Sequence, residues 1–287
     1  MNRILSALRA ARSSGRMALC GYFLTGYPTP RRFYSAVRAA GALDVLEFGI
    51  PTPEPLLDGP TIAHAHDVVT NDRGLCAETA LALLSGLRET QQPRLVMTYA
   101  ATGRSLGGFL RRCVEAGVDG LLVPDMDQAE ADYVIGVVRA MGMCAVVLVD
   151  SHASRSELEE RIHLADLVYV KASRGRSGER VDLEGEAGRH LDRTVHAIRL
   201  ARPELPIAVG IGISEATQVR SIARLGVDMV IVGTCLVECT DRGDCDVQLL
   251  AERLRAATWY PRQGCFGSHC APALSSLPED EPLDLQP

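Results

Sequence analysis

The stretch Val45–Ala63, VLEFGIPTPEPLLDGPTIA, decides how this chain is read. It begins as a buried strand and ends as a loop rich in proline and glycine. Side chains alternate across a strand, so Val45 and Glu47 share one face while Leu46 and Phe48 share the other. One carboxylate, Glu47, therefore sits inside an apolar strand near its C-terminal end. A second, Asp58, opens an Asp-Gly-Pro turn deep in the loop, where turn chemistry alone could account for it.

Outward from this stretch, short β-rich runs recur: Ala18–Leu24, Asp44–Phe48, Arg94–Thr98, Gly120–Val123, Cys144–Val149, Leu167–Val170, Ile207–Val209 and Met229–Val232. Between them lie segments with helical patterning: Pro30–Ala40, Ala77–Glu89, Leu106–Ala116, Gln128–Met141, Arg155–Ala165, Leu191–Ala201 and Glu215–Leu225. Strands alternating with helices imply βαβ units and a parallel sheet. Eight units in this length predict an α/β fold of the TIM (β/α)8 barrel type, with a doubly wound sheet as the alternative. Three junctions, AAGALDVLEF, EAGVDGLLV and RLGVDMVIV, are near-copies. In each a glycine (Gly41, Gly117, Gly226) stops a helix, and an aspartate precedes a strand. The pattern dissolves after Tyr260, so a single barrel domain is expected over 1–258 and a mostly disordered Pro/Gly/acidic tail over 259–287.

The chain has 287 residues, 47% hydrophobic and 23% charged, with a net charge of −6. No basic excess is available to neutralise phosphates, which argues against nucleic acid and anionic membranes. No apolar run approaches a bilayer span, and the short run after Met17 reads as a first strand rather than a signal peptide. Nine cysteines are present, and Cys20, Cys113, Cys144 and Cys235 fall in apolar patterns, as small buried hydrophobes do. A cytoplasmic protein with reduced thiols is expected. Cys265, His269 and Cys270 offer three ligand types in the tail and read as incidental, so no metal site is expected.

The active site of such a barrel lies at the C-terminal ends of its strands. An inward Glu47 there would be desolvated and its pKa raised, which suits a proton shuttle. In the last quarter, PIAVGIGIS (Pro206–Ser214) and VDMVIVGTCLVE (Val227–Glu238) are strands ending in glycine before a helix. Glycines let amides approach a phosphate and a helix N-terminus adds its dipole, so a phosphate-bearing ligand is expected. Between the sixth strand and its helix, KASRGRSGERVDLEGEA (Lys171–Ala187) has the look of a lid.

These residues together resemble one family, the α subunit of tryptophan synthase, over about Ala18 to Glu238. The resemblance rests on GYFLTGYPTP, LEFGIPTPEPLLDGPTI, GRSGER, and GIGIS with GTCLVE. It implies retro-aldol cleavage of indole-3-glycerol phosphate to indole and glyceraldehyde 3-phosphate, with no metal or organic cofactor. Glu47 matches the family's proton shuttle and Asp58 the acceptor of the indole N–H. Tyr22, Tyr99, Leu122, Leu148, Tyr169 and Ile211 match positions around the indole ring. Gly178, Gly212, Gly233 and Thr234 match phosphate contacts. Ser177 stands for a lid threonine that orients Asp58, and Asp125 for an acidic residue expected to position rather than react. The chain departs from the family pattern at Pro53-Glu54, Leu57, Ala63, Ala101, Asp150-Ser151 and Ile211. Several of these lie in loops facing a β-type partner, which the resemblance makes possible. The implied protein is a lyase that works alone or as a pathway-specific α subunit. A different phosphate-binding barrel enzyme using Lys171, or a non-catalytic regulator of a β-type partner, are the alternatives.

Overall fold

The computed structural model describes residues 2–261 apart from 88, 101–105, 127 and 174; Ala101 and the Cys265, His269 and Cys270 group lie outside the described residues. The chain runs α1 (Arg3–Ser13), β1 (Ala18–Leu24), α2 (Pro30–Ala39), β2 (Val45–Gly49), α3 (Pro60–Asp67), α4 (Ala77–Ser85) and β3 (Arg94–Met97). It continues through α5 (Leu106–Glu115), β4 (Gly120–Leu122), α6 (Gln128–Ala140), β5 (Cys144–Asp150), α7 (Arg155–Ile162) and β6 (Leu167–Lys171). It ends with α8 (Glu186–Ala201), β7 (Ile207–Gly210), α9 (Ala216–Arg224), β8 (Met229–Val232), α10 (Thr234–Arg242) and α11 (Asp244–Arg255). The eight strands close in chain order into a parallel barrel, β8 pairing with β1. This is the TIM barrel, and every predicted strand end agrees within one residue.

Strand alternation divides the core. Ala18, Cys20, Val45, Leu95, Leu122, Cys144, Val146, Leu167, Tyr169, Ala208, Met229 and Ile231 fill the barrel interior. Leu19, Phe23, Leu46, Phe48, Val96, Val168, Val170, Val209 and Val230 face the surrounding helices. At the register level Tyr22 of β1 sits opposite Glu47 of β2, which places the carboxylate inward and near the upper end of its strand.

The sequence patterns did not reveal α1, α3 or α11. In α1 the buried residues Ile4, Leu8 and Ala11 recur at helical spacing and close the floor of the barrel. Three arginines dominated its pattern, which made it look like a polar lead-in. In α3, Pro60 occupies the first turn after the N-cap Gly59. A proline there costs no hydrogen bond, so a segment that reads as loop is helix.

The repeated aspartates have one common task. Asp44, Asp119 and Asp228, which precede β2, β4 and β8, accept amides from the start of β1, β3 and β7, those of Leu19, Arg94 and Ile207, at 2.8–2.9 Å. Asp166 before β6 does the same for Ala145 of β5 at 2.9 Å. Each also pairs with arginine: Asp44 with Arg16 and Arg255, Asp119 with Arg3, Asp166 with Arg139, and Asp228 with Arg12 and Arg199. Beyond α11, Trp259 bridges to Arg16, and Tyr260 donates its hydroxyl to the Val227 carbonyl at 2.7 Å. No helix among the described residues is long and apolar enough to cross a membrane.

Candidate active site

A cavity of about 190 Å³ opens at the C-terminal ends of the strands. Twelve of the fourteen residues singled out from sequence line it: Tyr22, Glu47, Asp58, Leu122, Leu148, Tyr169, Ser177, Gly178, Ile211, Gly212, Gly233 and Thr234. Glu47 is buried, with Oε1 lacking a hydrogen-bond partner. Burial, helped by the nearby Asp58 charge, pushes its pKa up to about 8. Asp58 is raised to about 6 by burial, held back by hydrogen bonds from Tyr99 and Ser177. Tyr22 and Tyr169 are buried phenols with pKa values well above the ordinary range, so they remain neutral.

The two remaining residues, Tyr99 and Asp125, are not among those lining the cavity. Tyr99 donates its hydroxyl to Asp58 Oδ2 at 2.9 Å and accepts the Leu57 amide at 3.1 Å. It therefore fixes the loop that carries Asp58. Asp125 accepts the Ala100 amide at 2.9 Å, tying the segments after β3 and β4 together.

The segment after β6 lies over the loop after β2. Ser177 donates its amide to the Leu57 carbonyl at 3.2 Å, its Oγ accepts the Gly59 amide at 2.9 Å, and Oγ donates to Asp58 Oδ1 at 3.4 Å. A Cβ on Gly59 would collide with the Ser177 carbonyl oxygen, so this contact requires glycine. The sequence therefore leaves a methyl-free serine to hold Asp58, and that hydrogen bond is long.

On the opposite wall, Ile211 and Gly212 follow β7 with φ of +65° and +85°. The left-handed region is costly for a β-branched residue, and such strain clusters at functional sites. A Cβ on Gly212 would strike Val181 and approach the Glu179 carbonyl oxygen to 2.7 Å. The amides of Ser214 and Glu215 are already taken by the Gln218 side chain at 3.0 and 3.1 Å, so α9 satisfies its own N-terminus. Helix α10 is different: its N-cap is Gly233, with no side-chain cap, and Gly233, Thr234 and Cys235 face the cavity. An open helix N-terminus beside glycines is a ready anion site.

Cavity residues that the sequence did not single out include Ile62, Met97, Pro124, Ile231 and Glu238. The four apolar ones come from segments whose pattern is the same for a wall and a core. Lys171 ends β6 without lining the cavity. Among the described residues no group of histidine, cysteine and carboxylate side chains could hold a metal ion.

The profile of the tryptophan synthase alpha chain family matches residues 8–258. The chain belongs to the tryptophan synthase alpha family. The alpha chain of Halorhodospira halophila is 34% identical over 268 residues, covering 90% of this chain and 94% of that one. The alpha chain of Methanopyrus kandleri is 32% identical over 254 residues, covering 85% and 88%. A solved Mycobacterium tuberculosis tryptophan synthase chain superposes with a TM-score of 0.82 at 26% identity, covering 91% of this chain and 99% of its own. The tryptophan synthase alpha family comprises carbon–carbon lyases that cleave indole-3-glycerol phosphate.

Proposed function

We propose that this chain cleaves indole-3-glycerol phosphate to indole and glyceraldehyde 3-phosphate, with Glu47 and Asp58 as the catalytic pair. The supporting observation is two buried carboxylates whose acidities are separated, at about 8 and about 6, in one cavity. Near neutrality Glu47 holds its proton and Asp58 has lost its own, so two like groups take different tasks.

The bond to be broken joins indole C3 to a carbinol carbon. Indole departs only once C3 carries a proton. Glu47 supplies that proton, and its carboxylate takes one back from the 3′-hydroxyl as the C–C bond breaks and the carbinol becomes an aldehyde. The proton count on Glu47 is restored. Protonated at C3, the ring nitrogen becomes cationic, and Asp58 accepts its N–H and stabilises that charge. Tyr22, Leu122, Leu148, Tyr169 and Ile211 pack around the ring. Gly178, Gly212, Gly233 and Thr234 hold the phosphate, with the α10 dipole assisting. Ser177, Tyr99 and Asp125 orient the loops.

A β-type subunit, if present, docks over the mouth, where Leu56 on the Pro53–Leu57 rim is 55% exposed. The protein acts in the cytoplasm, residues 1–258 forming the catalytic domain and 259–287 a tail. The direct test is incubation of the purified chain with indole-3-glycerol phosphate, alone and with a β subunit. Indole release supports the reading; none in either case rejects it. Activity that is negligible alone and large on mixing would make the partner obligatory.

A further inference from the structure

His66 lies in the last turn of α3, eight residues after Asp58, and is 2% exposed. Its Nδ1 accepts the Thr52 amide at 3.0 Å. A ring nitrogen that accepts an N–H bond has its lone pair there, so the neutral imidazole carries its proton on Nε2. That Nε2 is buried without a hydrogen-bond partner and stands 3.6 Å from Asp58 Oδ2. An unpartnered buried donor is costly, and native structures rarely tolerate one without a role. A movement of about 0.8 Å would bring it to the ~2.8 Å of a charge-assisted bond. The His66 carbonyl is itself fixed, accepting the Thr70 hydroxyl at 2.7 Å from the π-helical turn Val68–Asp72.

We propose that His66 is a positioning residue that holds Asp58 through its Nε2–H and, through the Thr52 amide, registers Asp58 against the strand that carries Glu47. The inference rests on the reading of Asp58 as the acceptor of the ring N–H. Thr52 follows Glu47 by five residues on the exit of β2, so one imidazole spans the two carboxylate-bearing segments. Its donor falls on Oδ2, already bound by Tyr99, and leaves Oδ1, with its long Ser177 contact, for the substrate. Burial lowers the His66 pKa to about 4, which keeps the ring a neutral donor while Asp58 is ionised. The other titratable groups facing Asp58 are Glu47 from β2, Tyr22 from β1, Tyr169 from β6 and Tyr99 after β3; the three phenols stay neutral.

The first test needs no substrate. In ¹⁵N-histidine spectra of the full chain, His66 should show an unprotonated Nδ1 and a protonated Nε2 down to pH ~5. Its Nε2 resonance should shift with a midpoint near that of Asp58, a response abolished by Asp58→Asn. A protonated Nδ1, or a resonance indifferent to Asp58, overturns the proposal. The second test uses indole-3-glycerol phosphate. Asn can replace the Nδ1 acceptor and Gln the Nε2 donor. His66→Asn removes a donor that favours the anion, so the acidic limb of kcat/KM should move up by at least about half a pH unit. His66→Gln should keep the limb in place. Equal losses in both variants with unmoved limbs mean a purely structural role and overturn the proposal. If the wild-type protein releases no indole, the functional reading fails, while the spectra still decide the placement of His66.

Discussion

At the floor of the barrel, Asp44, Asp119, Asp166 and Asp228 each accept a strand amide and an arginine. At the mouth, Glu47 keeps an oxygen buried without a partner, and Asp58 is met by two hydroxyls and an imidazole. The residue type is nearly the same; the surroundings differ. Guanidinium partners and amides make an anion comfortable and turn it into a staple between strands. Burial against phenols makes an anion costly and turns it into an acid whose proton is available near neutrality. On the proposed reading, the same fold spends carboxylates on stability at one end and on chemistry at the other, as the division of labour in such barrels leads one to expect.

The sharpest way to break this comparison is Glu47→Gln. It should lower indole release by ~10²–10⁴ or more, the scale of a lost general acid and base. Thermal unfolding should hold or rise, because an ill-solvated carboxyl is removed. Activity above about a tenth of wild type would remove Glu47 from the mechanism. At the floor, Asp228→Ala should do the reverse. It strips partners from Arg12, Arg199 and the Ile207 amide, and should cost about 2–3 kcal/mol in denaturant melts. The folded fraction should retain wild-type kcat; a lost kcat with intact stability would erase the distinction between the two ends. The smallest effect belongs to Thr234→Val, which deletes one hydroxyl from the phosphate site and keeps the shape. KM should rise about 10-fold or somewhat more with kcat within about twofold, the lower end of the value of a hydrogen bond to a charged group. An unchanged KM would move the phosphate elsewhere. Gly212 is a poorer probe, since a side chain there meets the Glu179 carbonyl and would test folding instead.

The floor and the mouth were also unequally legible in the sequence. Three of the four stapling junctions announced themselves by a glycine two or three residues before the aspartate. The fourth, Asp166 in HLADLVYV, lacks the glycine and looked like any helix end. Strands were legible because each is a run of β-branched or apolar residues buried on both faces. At the mouth, Glu47 stood out as a charge within such a run, and the glycines after β7 and β8 as breaks before helices. The hydrogen bond from Tyr99 to Asp58 was not legible, because sequence spacing does not tell where a phenol sends its hydroxyl. His66 was missed because the proline-rich loop hid the start of α3, and because its partners, Thr52 and Asp58, lie 14 and 8 residues away in sequence. Contacts made between loops leave no period to detect.

The claim that carries the whole account is that two carboxylates at the mouth hold opposite protonation states near neutrality. The pH dependence of kcat/KM for indole release from indole-3-glycerol phosphate tests it most directly. Below about 6, Asp58 gains a proton and can no longer accept the ring N–H; above about 8, Glu47 loses the proton it delivers to C3. The account predicts a bell with its maximum near 7, the two limbs belonging to the coupled pair. Absence of indole at every pH, or a rate that is flat from 5 to 9, would contradict it.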